Sequence, residues 1–237
     1  KVGPSPREWW GLVRTSSDGG RTWSGPIPLP DGVLGPIRAK PIERRPGTLL
    51  AGSSTEHDGW AVHMETFTTD ARTEGEWRRA LASPHAWSRV GPLNDPEEYG
   101  AIQPTVLEHS SNELQVLCRS RQRVITQAWS HDGGVTWGGM SATDLPNPSA
   151  GIDALRLVDG RFLLVYNPTE RGRDRLVVAV SANGRTWRSG LTLEAAAEAE
   201  YSYPAMIQTA DGRVHVTYTW RRQRIKYVVF DPSEIGR

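Results

Sequence analysis

Short apolar runs separated by glycine, proline, aspartate and asparagine dominate the chain. Runs of about five to eight residues that end at D-G, N-E or P-G predict β-strands joined by hairpins. One group of runs reads AIQPTVLEH, ELQVLCRS and RVITQAWS and continues after Trp137. Two further groups repeat the plan: GIDALRLV, RFLLVYNP and RLVVAVS, and IRAKPIER, TLLAGSS, WAVHMETF and EWRRALA. The pattern predicts four-stranded units in tandem.

A short polar motif recurs between the third and fourth predicted strands. It reads SSDGGRTW at residues 16–23, SHDGGVTW at residues 130–137 and SANGRTW at residues 181–187, and a poorer copy ends at Trp77. The closing tryptophans of the four copies are spaced by 54, 60 and 50 residues. A period of about 50 residues is typical of the four-stranded blades of a β-propeller.

These repeats predict an all-β fold, a β-propeller occupying residues 1–237 as one domain. The predicted blades are a partial one at residues 1–35 and four nearly whole ones at about 36–95, 100–147, 150–195 and 200–237. Because a propeller closes to remove its exposed edges, about 4.5 blades predict the C-terminal part of a longer, six-bladed chain. A five-bladed ring closed by a swapped strand is the alternative.

Composition excludes several classes of function. The chain has 28 basic and 27 acidic residues and a net charge of +1, so nothing indicates nucleic acid or an acidic membrane as a partner. No apolar run approaches the roughly 18 residues that a membrane span needs. The single cysteine, Cys118, lies inside LQVLCRS and is expected to be a small core residue.

The repeated motif is interpreted as turn chemistry. Its aspartate can accept backbone N–H groups, and its glycines permit unusual backbone angles. A calcium loop would need several oxygen ligands at alternate positions and a closing glutamate, which do not follow the motif. We therefore expect neither a metal nor a cofactor. Because strand ends alternate between the two faces of a blade, the motifs mark one face and the functional site is expected on the other.

Two sets of residues are expected on that other face, here called the front. The first set opens the innermost strands and consists of Arg38, Lys40, Gln103, Asp153, Tyr201 and Tyr203. The second set follows the second strands and consists of Glu56, His57, Arg119, Arg121, Asn167, Glu170, Arg173, Arg221 and Arg222. Arginines gathered on the front can bind a carboxylate, sulfate or phosphate, because the guanidinium binds such anions through two parallel hydrogen bonds.

The motifs resemble the Asp boxes, or bacterial neuraminidase repeats, of the sialidase (neuraminidase) superfamily. EYSYPAMIQTADGRVHVTYTW is similar to the sialidase segment with the nucleophilic tyrosine, which implies this role for Tyr201. NELQVLCRS and YNPTERGRDRLVVAVS resemble segments that carry arginines for the substrate carboxylate, which implies Arg119 and Arg173, with Arg175 as the alternative to Arg173.

The resemblance has two departures. The sialidase dipeptide Glu-Pro, whose glutamate activates the tyrosine, is here Gln103-Pro104. The glutamate that ends the last hairpin strand is also absent, since Thr219 and Trp220 stand there. The family's first carboxylate-binding arginine and its acid/base aspartate would belong to a blade that these residues do not contain. The sialidase-like proteins known as predicted neuraminidases are the most similar group.

Three functions remain open at this point. The first is a sialidase-like hydrolase that acts on a terminal acidic sugar of an oligosaccharide or sialoglycoconjugate, with Tyr201, Asp153 and Gln103 as catalytic candidates. Its substrate-binding candidates are Arg119, Arg173, Lys40, Arg38, Tyr203, Asn167 and Glu56. The second is a polysaccharide lyase or uronate-linked glycosidase with a tyrosine or His57 as base. The third is a carbohydrate-binding propeller with Trp60 and Trp220 as stacking platforms.

Overall fold

The computed structural model describes residues 2–57 and 59–235. Its strands form five antiparallel sheets that follow one another along the chain. The first sheet has two strands, β1 (Leu12–Val13) and β2 (Ile27–Pro28). Three four-stranded sheets follow: β3 (Ile42–Arg45), β4 (Thr48–Thr55), β5 (Ala61–Thr68) and β6 (Trp87–Val90); β7 (Ala101–Glu108), β8 (Leu114–Ser120), β9 (Val124–Ser130) and β10 (Ser141–Pro146); and β11 (Asp153–Arg156), β12 (Phe162–Tyr166), β13 (Arg175–Ser181) and β14 (Arg188–Ala195). The last sheet has three strands, β15 (Tyr201–Gln208), β16 (Val214–Trp220) and β17 (Arg224–Phe230).

Each sheet pairs its strands in chain order. This is the up-and-down arrangement of propeller blades, and it confirms the predicted all-β propeller fold. The first sheet has only two strands, and the first Asp box lies between them. Residue 1 and residues 236–237 of the predicted domain lie outside the described residues, and the six-bladed count of a longer chain stays a prediction.

The hydrophobic core lies between neighbouring sheets. The central strand β12 is buried along its whole length, and its alternate side chains enter two different clusters. Leu163 and Val165 pack with side chains of the last sheet such as Val216, whereas Phe162 and Leu164 pack with side chains of the preceding four-stranded sheet. Burial on both faces explains why the inner strands read as continuous apolar runs. Cys118 is fully buried in this core, as expected.

The Asp boxes are closed by their own residues. In the second box, Asp132 accepts hydrogen bonds from the Thr136 backbone N–H at 2.9 and 3.0 Å and from the Ser130 hydroxyl at 2.8 Å. Hydrogen bonds from Thr136, more than from Ser130, lower the pKa of Asp132 to about 2. The Trp137 indole N–H donates to the Gly134 carbonyl at 3.2 Å. These contacts support the interpretation of the motif as a turn.

One predicted strand is a helix. EWRRALA was expected to be the fourth strand of its blade, but Glu74–Leu81 form α1, and the fourth strand is β6 instead. Thr73 caps the helix, because its hydroxyl accepts the Glu76 N–H while the Glu76 carboxylate accepts the Thr73 N–H. The capping box T-x-x-E is a sequence signature of a helix N-terminus. Here it prevails over the apolar alternation in the same residues, which had predicted a strand. Trp77 packs against Phe67 with ring centroids 5.6 Å apart.

The remaining helical segments are short. Three 3₁₀ turns occupy Pro6–Glu8, Pro84–Ala86 and Pro232–Glu234. No helix in residues 2–57 or 59–235 is long and apolar enough to cross a membrane.

Candidate functional site

Two innermost strands carry the same bulge at their front ends. In β7 the bulge is formed by Gln103 and Pro104, and in β15 by Tyr203 and Pro204, each pair standing opposite a single residue of the second strand. Gln103 has a φ of 59° and Tyr203 a φ of 52°. Such values are costly for residues with a side chain, and they concentrate at functional sites. Arg38, before β3, has a φ of 70° and is a third case on this face.

Tyr203, and not the predicted Tyr201, is the tyrosine exposed at this site. The Tyr201 side chain is 1% exposed and belongs to the core between the last two sheets, where a sugar cannot reach it. Tyr203 is 47% exposed. Residues two apart in a regular strand share one face, but the bulge after Ser202 breaks that alternation. Within the fold, Tyr203 is therefore the counterpart of Gln103.

Arg119 is the most deeply buried guanidinium of the site, with 8% exposure. Its Nη1 donates to Gln103 Oε1 at 3.3 Å, and its Nε is buried without a hydrogen-bond partner. Among the described residues, no carboxylate pairs with Arg119. Burial raises the pKa of Tyr203, but the hydrogen bond and charge of Arg119, followed by Arg173, lower it by more, so the net shift is downward. A buried guanidinium without a carboxylate partner among the described residues is placed to bind an anion.

Arg38 crosses from the first four-stranded sheet to the last two. Its two Nη groups donate to the carbonyl oxygens of Ile152 and Pro204, and its Nε is buried without a partner. Its guanidinium carbon lies 5.8 Å from the centre of the Tyr203 ring. Burial lowers the pKa of Arg38 to about 10, against the opposing influence of Asp153.

A glycine makes room for this arrangement. A Cβ atom on Gly151 would lie 2.6 Å from Arg38 Nε and 3.1 Å from Tyr203 Cδ1, closer than real Cβ atoms approach in the first case. The backbone at Gly151 therefore forms a cradle for both side chains.

Arg173 reaches the site from the loop after β12. Its guanidinium carbon lies 5.6 Å from the centre of the Tyr203 ring, and its Nη1 lies 3.4 Å from Glu200 Oε1. The other oxygen of Glu200 accepts a hydrogen bond from Arg222 Nε at 2.7 Å. Burial raises the pKa of Glu200, but Arg222, Ser202 and Arg173 lower it by more. Arg173 is thus already paired, in contrast to Arg119.

Glu56 joins the site through an amide. Gln103 Nε2 donates to Glu56 Oε1 at 3.4 Å, so Gln103 links Glu56 on one side to Arg119 on the other. Asn167, by contrast, is fully buried, and its Nδ2 donates to the carbonyl oxygens of Arg175 at 2.6 Å and Tyr201 at 2.9 Å. Asn167 therefore ties backbone segments together and is not exposed to a ligand.

Asp153 is also a structural group. It is 3% exposed, and its carboxylate accepts hydrogen bonds from Lys40 Nζ at 2.9 Å, from the Thr105 hydroxyl at 3.0 Å and from the Met206 N–H at 2.8 Å. These donors come from the segment before β3, from β7 and from β15. The carboxylate and its partner Lys40 thus join the inner strands.

The structure adds residues that the sequence did not single out. Glu200 directly precedes Tyr201, and only the fold brings it between Arg173 and Arg222, which are distant from it in the chain. Nothing in the sequence marks Gly151 as important, because its φ is not positive. It is distinguished only by the side chains of Arg38 and Tyr203 that pack closely against it. Trp60, considered only as a stacking platform, lies under Arg119 and Arg121, whose guanidinium carbons are 5.1 and 4.5 Å from its ring centre.

Residues 1–216 match the family model of the BNR repeat-like domain. The chain belongs to this family. No curated protein sequence matches the chain.

Solved structures give the fold. The Hadza microbial sialidase Hz136 is 18% identical with a TM-score of 0.74, and the NanB sialidase of Streptococcus pneumoniae is 16% identical with a TM-score of 0.71. Both matches cover 95% of this chain, but only 44% and 36% of those proteins. The exo-beta-1,3-galactanase of Phanerochaete chrysosporium is 12% identical with a TM-score of 0.61, covering 97% of this chain and 52% of the galactanase. The sialidase-like propeller fold is therefore shown, and the spread of functions on it leaves activity to be argued from the site.

Proposed function

We propose that this BNR repeat-like propeller binds the carboxylate of a terminal acidic sugar and belongs to a sialidase-like glycoside hydrolase. The observation that carries the proposal is Arg119, a nearly buried guanidinium with no carboxylate partner among the described residues, placed against the acidified phenol of Tyr203. A carboxylate that accepts from Arg119 would supply the missing anion and form a charge-assisted pair. The sialidases among the similar structures support the same class of ligand.

Tyr203 takes the nucleophile's role in this proposal. Its phenolate oxygen would bond to the anomeric carbon, and the electron pair of the breaking glycosidic bond would pass to the leaving oxygen, which takes a proton from an acid or water. Arg119 and Arg173 lower the pKa of the phenol, so part of the activation that a glutamate would give as a base comes from positive charge. Gln103, which cannot take a proton, is left to orient Arg119.

The second candidate is a lyase that acts on a uronate-containing polysaccharide. The observation that favours it is the amide of Gln103 where the sialidase resemblance has a glutamate. Removal of a proton next to a carboxylate needs a base and a neutralised carboxylate, and here Tyr203 and Arg119 would supply these two functions. The electron pair of the broken C–H bond would form a carbon–carbon double bond as the glycosidic C–O bond at the adjacent carbon breaks, and the leaving oxygen would take a proton from an acid or water.

The test uses the intact protein with fluorogenic sialosides and with uronate oligosaccharides, and follows released fluorophore and ultraviolet absorbance of unsaturated product. We expect sialoside turnover that is lost in Tyr203→Phe. Binding of N-acetylneuraminic acid should weaken at least about tenfold in Arg119→Ala, the size of one charge-assisted hydrogen bond.

Tyr201→Phe is the matched control, because Tyr201 is buried and should affect folding alone. Unsaturated uronate product in place of sialoside turnover would establish the second candidate. Acidic-sugar binding that is unaffected in Arg119→Ala would contradict both.

A further inference from the structure

Next to Arg119, the front face carries a second cation that the proposed function does not use. Arg121 is exposed in the hairpin between β8 and β9, and its guanidinium carbon lies 4.5 Å from the centre of the Trp60 ring. Arg119 lies over the same ring at 5.1 Å. Trp60 therefore connects a buried arginine of the site with an exposed arginine outside it. We name Trp60 and Arg121 the rim platform.

The rim platform is held in place before any ligand arrives. The Arg121 side chain passes so close to Gly100 that a Cβ atom there would lie 2.9 Å from Arg121 Cδ. Asn94 Nδ2 donates to the carbonyl oxygens of Trp60 at 2.7 Å and Tyr99 at 2.6 Å, which fixes the Trp60 backbone against the next sheet. An arginine packed between a glycine backbone and an indole has already lost much of its side-chain entropy, so it loses less on binding.

The charge of the rim platform is uncompensated. In the part of the chain that the structure describes, no carboxylate pairs with Arg121, whereas Arg173 and Arg222 share Glu200 and Lys226 pairs with Glu194. The Trp60 indole N–H also has no acceptor among those residues. A preordered cation beside an aromatic edge with a free donor suits a sugar that carries an anionic substituent.

On the basis of the proposed function, we propose that the rim platform is a second subsite that binds an acidic sugar next to the terminal one. Arg119 would hold the carboxylate of the terminal sugar, and Arg121 would hold the carboxylate or sulfate of its neighbour, with the neighbour's ring against the Trp60 edge. The preferred substrate class is then a glycan with consecutive acidic sugars, in preference to an acidic sugar linked to a neutral one.

The test measures binding of three probes to the intact protein by titration calorimetry: N-acetylneuraminic acid, 3′-sialyllactose with a neutral second sugar, and α2,8-linked disialic acid with an acidic second sugar. We expect disialic acid to bind the wild type most tightly. Arg121→Gln should weaken disialic acid about tenfold and the other two less than about twofold, because one charge-assisted hydrogen bond is lost. Arg121→Lys should retain part of the affinity.

The matched control is Arg224→Gln in the last sheet, where Arg224 lies over Trp220 with 4.9 Å between its guanidinium carbon and the ring centre. It removes the same charge from the same kind of contact elsewhere on the protein and should change none of the three affinities. An equal loss for all three probes in Arg121→Gln, or no loss for disialic acid, would overturn the subsite while leaving Arg119-dependent binding of N-acetylneuraminic acid intact. A wild type that bound none of the probes would overturn the subsite and the sialoside proposal together.

Discussion

At the scale of single residues, the site depends on how opposing influences on Tyr203 balance. Burial favours the neutral phenol, and the arginines favour the phenolate. The net downward shift shows that the nearby charge and hydrogen bonds prevail over burial at a side chain that is 47% exposed. The acidity of the phenol is therefore a property of its neighbours, above all Arg119.

The first prediction follows from this balance. Arg119→Ala removes the largest favourable influence on the phenolate, so the pKa of Tyr203 should rise and any activity that needs the phenolate should move to higher pH. Ultraviolet titration of phenolate absorbance measures the pKa, and the Tyr203→Phe variant identifies which part of the absorbance change belongs to Tyr203. Arg123→Ala, in the same hairpin as Arg121, should leave the titration unchanged. An unshifted Tyr203 in Arg119→Ala would contradict the account.

The second prediction concerns the cradle at Gly151. Gly151→Ala places a methyl group 2.6 Å from Arg38 Nε, so Arg38 and Tyr203 must move and acidic-sugar binding should fall at least about tenfold. Gly139→Ala is the control, because nothing lies within 4 Å of the added atom. Neither glycine has a positive φ, so backbone strain does not distinguish them. Equal affinities in the two variants would show that the cradle does not position the site.

At the scale of elements, the Asp boxes show that one acceptor oxygen is enough for the turn. In the third box Asn183 replaces aspartate, and its Oδ1 still accepts the Thr186 N–H at 2.9 Å. Trp187 closes this box as Trp137 closes the second, by donating to a glycine carbonyl at 3.0 Å. The aspartates of the other boxes therefore add a negative charge to a turn that the amide oxygen of Asn183 also closes.

The third prediction separates the charge of the box from its geometry. The pKa of Asp132 is lowered from 3.8 to about 2 in the folded protein, so its ionised form stabilises the fold above pH about 4. That stabilisation should be lost progressively as the pH falls towards about 2. In Asp132→Asn the hydrogen bonds of the box should remain, but the loss of stability between about pH 4 and pH 2 that comes from protonation of Asp132 should disappear.

Thermal unfolding of the wild type, Asp132→Asn and Asp132→Ala across this pH range provides the measurement. Asp132→Ala should have the lowest Tm at neutral pH, since it lacks both oxygens. A Tm in Asp132→Asn that fell with pH as steeply as that of the wild type would contradict the assignment.

At the scale of the whole molecule, Asp153 connects sheets that are far apart in the chain. Its carboxylate accepts hydrogen bonds from Lys40 before β3, from Thr105 in β7 and from the Met206 N–H in β15. Arg38 adds another connection, from the segment before β3 to the carbonyl oxygens of Ile152 and Pro204. The inner strands are thus joined by polar groups, while the apolar clusters lie between neighbouring sheets.

The fourth prediction is that Asp153→Ala lowers the free energy of unfolding by about 3 kcal/mol, because a buried ion-pair partner and the hydrogen bonds from Thr105 and the Met206 N–H are lost. The estimate is at the lower end for buried pairs, because the Lys40 side chain is 35% exposed and can be partly resolvated. Urea denaturation measures it, and Asp144→Ala on the exposed edge of β10 is the control. An Asp153→Ala variant that lost activity at unchanged stability would contradict this structural account and favour a catalytic role for Asp153.

How much the sequence could reveal differs between the fold and the site. The strand plan, the Asp boxes and the front-face arginines Arg119 and Arg173 follow from patterns that repeat along the chain. The bulge in β15, which no local pattern of apolar residues encodes, leaves Tyr203 exposed while Tyr201 is buried. Asp153, Lys40 and Asn167 were placed on the correct strands and loops, but their hydrogen-bond partners lie in distant segments.

The sequence by itself determined the all-β repeat, because the short apolar runs of the strands and the period of about 50 residues between turns can be read directly along the chain. Only the tertiary structure decided which polar side chains remain available. Whether a carboxylate or guanidinium is satisfied depends on groups that the fold brings from other sheets, as with Asp153 among its three donors and Arg119 without an acid partner. Burial and pairing are properties of the assembled sheets, so the chemistry of the front face arises only when the blades pack.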